Sequence, residues 1–161
     1  MKEQLEYAIA KRNEGKREEA NELLVQLAKE YPNDAQVNFH CAWSFDALGK
    51  ETEAVPYYEK ALSQGLKGED LEGAILGLGS TYRALAQYQK SQETFLKGMK
   101  LFPNNRAIQV FYAMTLYNLN QHHEAMEILL KSLAETSNDP AIISYKQAIE
   151  FYSDKLDTKW E

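Results

Sequence analysis

Apolar residues along this chain recur at spacings of three and four, in blocks separated by Gly, Asn and Pro, which predicts a succession of amphipathic helices. Residues 3–14 turn Leu5, Tyr7, Ala8 and Ile9 inward before Gly15-Lys16 breaks the helix. The next helix, from about Arg17, carries Ala20, Leu23, Leu24, Leu27 and Ala28 as one stripe. Pro32 ends it, because the residue before a proline is pushed out of the helical region. Asn33 and Asp34 cap a helix from about Ala35 to Leu48, and Gly49-Lys50 repeats the turn. The helix after it contains Pro56. An interior proline costs about 3 kcal/mol unless it sits near the start, so a late start or a slight kink is expected there. A glycine-rich helix with Gly73, Gly77 and Gly79 follows, each glycine costing about 1 kcal/mol relative to alanine. A further helix runs from about Arg106 to Leu119. After the turn Asn120-Gln121, the next is predicted to bury Ala125, Ile128, Leu129 and Leu133. Asp139-Pro140 starts a final helix to about Leu156, a capping acid with proline at the first helical position.

These helices pair into a repeating unit. In the block that begins at Glu72, Leu78, Gly79, Tyr82, Tyr88, Phe95 and Pro103 stand at positions 7, 8, 11, 17, 24 and 32. A block from Met1 has Tyr7, Ala8, Gly15, Ala20, Leu24 and Pro32 in the same frame. One from Ala35 has Cys41, Ala42, Phe45, Gly49, Ala54, Tyr58 and Ala61, and one from Arg106 has Tyr112, Ala113, Leu116, Ala125 and Leu129. The pattern resembles the tetratricopeptide repeat family, whose period is 34. The blocks start 34, 37 and 34 residues apart, with the extra residues near Gly65 to Asp70 and Leu66 where Pro32 and Pro103 stand elsewhere. Lys11 replaces the usual aromatic. The resemblance implies an all-α fold, a right-handed α–α superhelix of four helical hairpins in a single domain over 1–161. The hairpins would cover about 1–34, 35–71, 72–105 and 106–139, with a C-terminal capping helix at about 140–156. In such a solenoid each hairpin buries its apolar face against its neighbours.

Composition narrows the function. The net charge is −6, and all of the excess lies in residues 1–80, with 15 acidic and 9 basic groups against 9 of each in residues 81–161. That balance argues against nucleic acid, whose phosphates require clustered cations, and mildly favours a basic partner near the first two repeats. Cys41, the only cysteine, is expected to be buried like any small hydrophobe. No apolar run approaches the roughly 18 residues of a membrane span. Met1-Lys2-Glu3-Gln4 lacks the apolar core of a signal peptide, so a cytoplasmic location is expected. His122 and His123 are neighbours on a helix and do not share a face; His40 stands alone. No metal site, cofactor or catalytic set is expected, and an enzyme is disfavoured.

The resemblance also implies a surface. In the family, positions 2, 5, 6, 9, 12 and 13 of each first helix line a concave groove that commonly binds a peptide or helix. Those positions hold Leu5, Ile9, Arg12 and Asn13; then Phe39, His40, Trp43 and Asp46; then Gly73, Leu76, Gly77, Ser80 and Arg83; and finally Val110, Met114, Tyr117 and Asn118. The expected binding residues are Phe39, Trp43, Asp46, Leu76, Ser80, Arg83, Val110, Met114, Tyr117 and Asn118. The missing side chains at Gly73 and Gly77, with the small Ser80, are expected to leave room for a partner's apolar anchor, while Asp46, Arg83 and Asn118 fix direction. The clamp by which some members hold a C-terminal carboxylate is disfavoured, because its positions read Leu5, Ile9, His40, Gly73 and Gly77, or in the next register Phe39, Trp43, Gly77, Ala107 and Phe111. The sequence therefore points to a scaffold for a protein or peptide partner. The alternative is a homodimer formed through the groove or through Tyr145, Ile149 and Tyr152 of the final helix.

Overall fold

A computed structural model describes all 161 residues. Ten helices follow one another without a strand: α1 (Lys2–Asn13), α2 (Arg17–Glu30), α3 (Ala35–Asp46), α4 (Glu51–Ser63), α5 (Gly68–Ala84), α6 (Tyr88–Leu101), α7 (Arg106–Asn118), α8 (His122–Thr136), α9 (Pro140–Ser144) and α10 (Lys146–Tyr152). Two compact units contain them, Met1–Ser91 and Gln92–Glu161. No helix is long and apolar enough to cross a membrane.

In the first unit α1, α3 and α5 lie side by side and form one face, and α2 and α4 pack behind and between them. Two apolar clusters hold this arrangement. Leu5, Ala8, Leu24, Leu27, Ala28, Val37 and Cys41 join α1, α2 and α3; Phe39, Ala42, Ala54, Tyr58, Ala61, Leu66, Ala74, Leu78 and Tyr82 join α3, α4 and α5. Small residues at these contacts let helix backbones approach. At Gly79, the Ser91 hydroxyl from the start of α6 donates to the carbonyl at 2.7 Å. Asp34 caps α3 by accepting the Val37 N–H at 2.9 Å, and the buried Asn38 amide donates to the Pro32 and Asp34 carbonyls and to Gln64. Cys41 is fully buried, which pushes its thiol up to about 12.

Two local features of this unit depart from the regular repeat. The helix that contains Pro56 starts at Glu51 and does not wait for the proline; the ring lies on the exposed side, where the missing N–H leaves only one carbonyl unbonded. The extra residues of the second junction do not form a longer loop. Gly65 and Gly68 turn the chain with φ of +87° and +56°, and α5 begins at Gly68, extending to 17 residues. Leu66 fills the apolar core where a proline stands in other repeats.

In the second unit α7 packs on α8, and α8 on α10. Asn105 caps α7 by accepting the Ile108 N–H at 3.1 Å, and Gln109 donates to the Pro103 carbonyl as Asn38 does to Pro32. The final helix is not continuous. The Tyr145 N–H bonds to Ile142, three residues back, at φ −105°, so α9 ends there and α10 stops at Tyr152. Leu129 and Leu133, expected inside, are 37% and 44% exposed, while α8 buries Ala125, Ser132 and Ala134. The helix that packs on α8 after it is the seven-residue α10, too short to bury the whole apolar stripe.

Candidate binding face

The face made by α1, α3 and α5 gathers aromatic and charged side chains around Trp43. Phe39 and Trp43, one helical turn apart, stack with ring centroids 5.9 Å apart. His40 lies 6.1 Å from the same indole at an interplanar angle of 19°. From α1 the Arg12 guanidinium sits 3.7 Å from the centre of the Trp43 ring, a cation–π contact. Its Nη1 faces the His40 Nδ1 at 3.3 Å. Burial, with Arg12 adding to it, lowers the His40 pKa to about 4. The imidazole is therefore neutral at pH 7, and Nδ1 accepts from Arg12 while Nε2 carries the proton. Asp70, held by the Gln36 amide at 2.7 Å, acts on His40 in the opposite sense.

One turn past Trp43, the Asp46 carboxylate accepts the Tyr58 hydroxyl at 2.7 Å and the Thr81 hydroxyl at 2.9 Å. Burial raises the Asp46 pKa, and these two hydroxyls oppose that rise. Asp46 thus links α3, α4 and α5, a structural use that the sequence frame alone did not reveal. Tyr58 is fully buried and comes from α4.

The glycines have a packing role that overturns the expected vacancy. A Cβ on Gly77 would lie 2.4 Å from the Tyr58 hydroxyl, and one on Gly73 would lie 2.9 Å from the tip of the Phe39 ring. The space freed by these glycines is occupied by the chain's own aromatics, so no anchor pocket is left there. Phe39, 5% exposed, supports the face from below instead of lining it. Trp43 is 44% exposed. Leu76, Ser80 and Arg83 follow along α5 and are half-buried. In the second unit Val110, Met114 and Tyr117 form one stripe along α7, with Asn118 beside it; Tyr117 is the most exposed at 62% and packs edge-on against His122.

Arg12 stands at a groove position of the repeat frame but is not among the expected binding residues. Its aromatic neighbour is 31 residues away in sequence, so only the repeat register could have paired them. Two surface pockets lie away from this face. One of about 330 Å³ is lined by Tyr7, Leu23 and Leu27 with Glu3 and Glu30, and one of about 740 Å³ by Phe45, Pro56 and Tyr57 with Glu53 and Glu59. No three His, Cys, Asp or Glu side chains converge as a metal site would require.

A repeat of two-helix units with small residues at the helix contacts defines a class of helical repeat protein, and the comparisons with known proteins agree. The tetratrico peptide repeat family matches residues 35–156, and a second tetratricopeptide repeat profile matches residues 4–34. The chain belongs to the tetratricopeptide repeat family. Among curated relatives, the Hsp70-Hsp90 organising protein of Plasmodium falciparum is 29% identical over 144 residues, 89% of this chain and 55% of the relative. Superkiller protein 3 of Saccharomyces cerevisiae is 26% identical over 104 residues, 60% of this chain and 7% of the relative. The chain thus spans about half, or much less, of the length of these relatives. Among solved structures, a mutant of MamA superposes with a TM-score of 0.71 at 20% identity, covering 83% of this chain and 76% of that one. The pilF protein of Pseudomonas aeruginosa gives 0.71 at 17% identity, covering 96% and 69%. At such identities the likeness is one of fold: all-α, the helical-hairpin solenoid of this family.

Proposed function

We propose that this protein is an interaction scaffold that docks a peptide or a helix of a protein partner on the face formed by α1, α3 and α5, with Trp43 as the central contact. The exposure of Trp43 carries this reading. A large indole held in place by Arg12, His40 and Phe39 and still 44% open to water has the rigidity and apolar area of a binding anchor. Leu76, Ser80 and Arg83 extend the contact along α5. Val110, Met114, Tyr117 and Asn118 on α7 form a separate stripe of the same kind. Affinity capture from native lysate with wild type beside Trp43→Glu tests the reading, after circular dichroism establishes equal helicity. The expected result is a bound protein that disappears with Trp43→Glu. An unchanged bound set would move docking to another face.

A second reading has its own observation. Tyr145, Phe151, Tyr152 and Trp160 are 67%, 49%, 48% and 62% exposed in one short segment. Exposed aromatic surface of that kind favours self-association. Of the three residues first assigned to this contact, Tyr145 and Tyr152 are exposed and Ile149 is half-buried. Homodimers formed through α9 and α10 would appear as a mass that rises with concentration.

A further inference from the structure

Arg12 carries a charge that nothing in the chain answers. It takes part in no ion pair, and its two neighbours, the His40 imidazole and the Trp43 indole face, are neutral. Half-burying a guanidinium without a counter-ion costs solvation, and burial lowers its pKa. The same contacts fix the plane of the group. One N–H is spent on His40, and the other four donors remain for a planar, two-oxygen acceptor.

We propose that Arg12, His40 and Trp43 form a receptor for a side-chain carboxylate, an aspartate or glutamate in a partner's segment, flanked by an apolar residue that lies on the exposed part of the Trp43 indole. The proposal rests on the reading of this face as the docking surface and names the chemistry that the surface selects. A carboxylate is favoured over a phosphate by charge. One cation balances one negative charge, and Asp46 and Asp70 on the same face would repel a second. A side chain is favoured over a chain terminus because polar groups flank the receptor on both sides, Asp46 one turn beyond Trp43 and the Gln36–Asp70 pair one turn before His40. A segment that uses both runs on in either direction. The local guanidinium decides the contact even though residues 1–80 are acidic as a whole, because charges more than about 8 Å away are screened at physiological salt.

The test is selection from a displayed library of random dodecapeptides, fused at the C-terminus to their carrier so that no free carboxylate terminus exists. Wild type, Arg12→Gln and Trp43→Ser serve as baits, with circular dichroism of each. Peptides enriched on wild type are expected to carry Asp or Glu beside an aliphatic or aromatic residue, and Arg12→Gln should lose that preference. The best binder, resynthesised with Gln for its acid, should bind wild type about tenfold more weakly and Arg12→Gln about equally, as expected for one charge-assisted bidentate contact. Arg12→Lys keeps the charge without the fork and should retain only part of the preference; if Arg12→Gln misfolds, an undiminished preference in Arg12→Lys overturns the proposal. Enriched peptides without an acid, or the same acids on Arg12→Gln, also overturn it. If those peptides are nevertheless lost with Trp43→Ser, the docking face stands and only the carboxylate assignment falls; no enrichment at all removes both. Tighter binding of a phosphoserine version, or of one that ends at the acid with a free terminus, reassigns the anion and overturns the proposal as stated.

Discussion

Gly77 and Tyr58 occupy one volume that only one of them can fill. Alanine at position 77 would place its Cβ 2.4 Å from a fully buried hydroxyl that Asp46 accepts. The ring cannot retreat without breaking that bond. The overpacking cost of about 1–3 kcal/mol exceeds the helix-propensity gain of about 1 kcal/mol, so Gly77→Ala should lower the urea midpoint. Gly73→Ala meets only the tip of Phe39, at 2.9 Å, and the two effects should nearly cancel. Equal destabilisation by both variants would contradict this account. His40 supplies a second prediction. Its folded pKa, about 4, lies below the ordinary 6.5, so the unfolded chain binds the proton more readily. Stability from this group is complete above pH 6.5 and is lost as the pH falls towards 4, by roughly 2 kcal/mol. Asp46, whose pKa is raised, slopes the other way. The measurement is therefore the difference between wild type and His40→Gln in urea unfolding from pH 7 to 4.5: the His40→Gln curve should be the flatter by that amount.

Among the elements, the four hairpin turns make the sharpest comparison. Position 15 of the repeats holds Gly15, Gly49, Ala86 and Asn120, and all four take the left-handed conformation, with φ of +84°, +69°, +57° and +59°. Each turn is closed by the same bond from the following N–H to a carbonyl five residues back, as in Lys16 to Lys11 and Gln87 to Tyr82. Glycine adopts this conformation freely and asparagine tolerates it, whereas alanine pays about 1 kcal/mol. Ala86→Gly should therefore raise stability by about 0.5–1 kcal/mol, although glycine in an exposed turn usually lowers it; a drop in thermal midpoint would refute the argument. Helix starts and turns were legible in the sequence, since Pro32 and Gly49 act through their own backbone and Asp34 and Asp139 through side chains that accept N–H groups two or three residues on. The break at Tyr145 was not, because the apolar pattern across it is uninterrupted.

At the scale of the whole molecule, the apolar surface left open is concentrated near the C-terminal end of the chain. Met126, Leu129 and Leu133 of α8 are exposed together with Tyr145, Phe151, Tyr152 and Trp160. If this surface self-associates, sedimentation velocity should show a sedimentation coefficient that rises with protein concentration. Tyr145→Lys combined with Tyr152→Lys should abolish the rise with little loss of stability, because both rings are about half or more exposed. A single concentration-independent monomer would exclude the homodimer reading and leave peptide docking on α1, α3 and α5. Raising the salt should not dissociate such a contact, since apolar burial is not screened as the charges are.

The order of the helices and their repeat frame follow from the sequence by itself, because period, caps and breakers act within a few residues of one another. The resemblance implies a groove position for Trp43 and for Tyr117, and both are exposed on their helices. What lies between the helices was decided by tertiary structure. Whether Gly77 leaves a hole or makes room depends on Tyr58, 19 residues earlier on another helix. Whether Asp46 faces a ligand or ties helices together depends on Thr81, and the charge left unanswered on Arg12 depends on which carboxylates the fold carries elsewhere. A stripe of residues records which side of a helix is apolar, but not which side chain from a neighbouring repeat fills the space beside it.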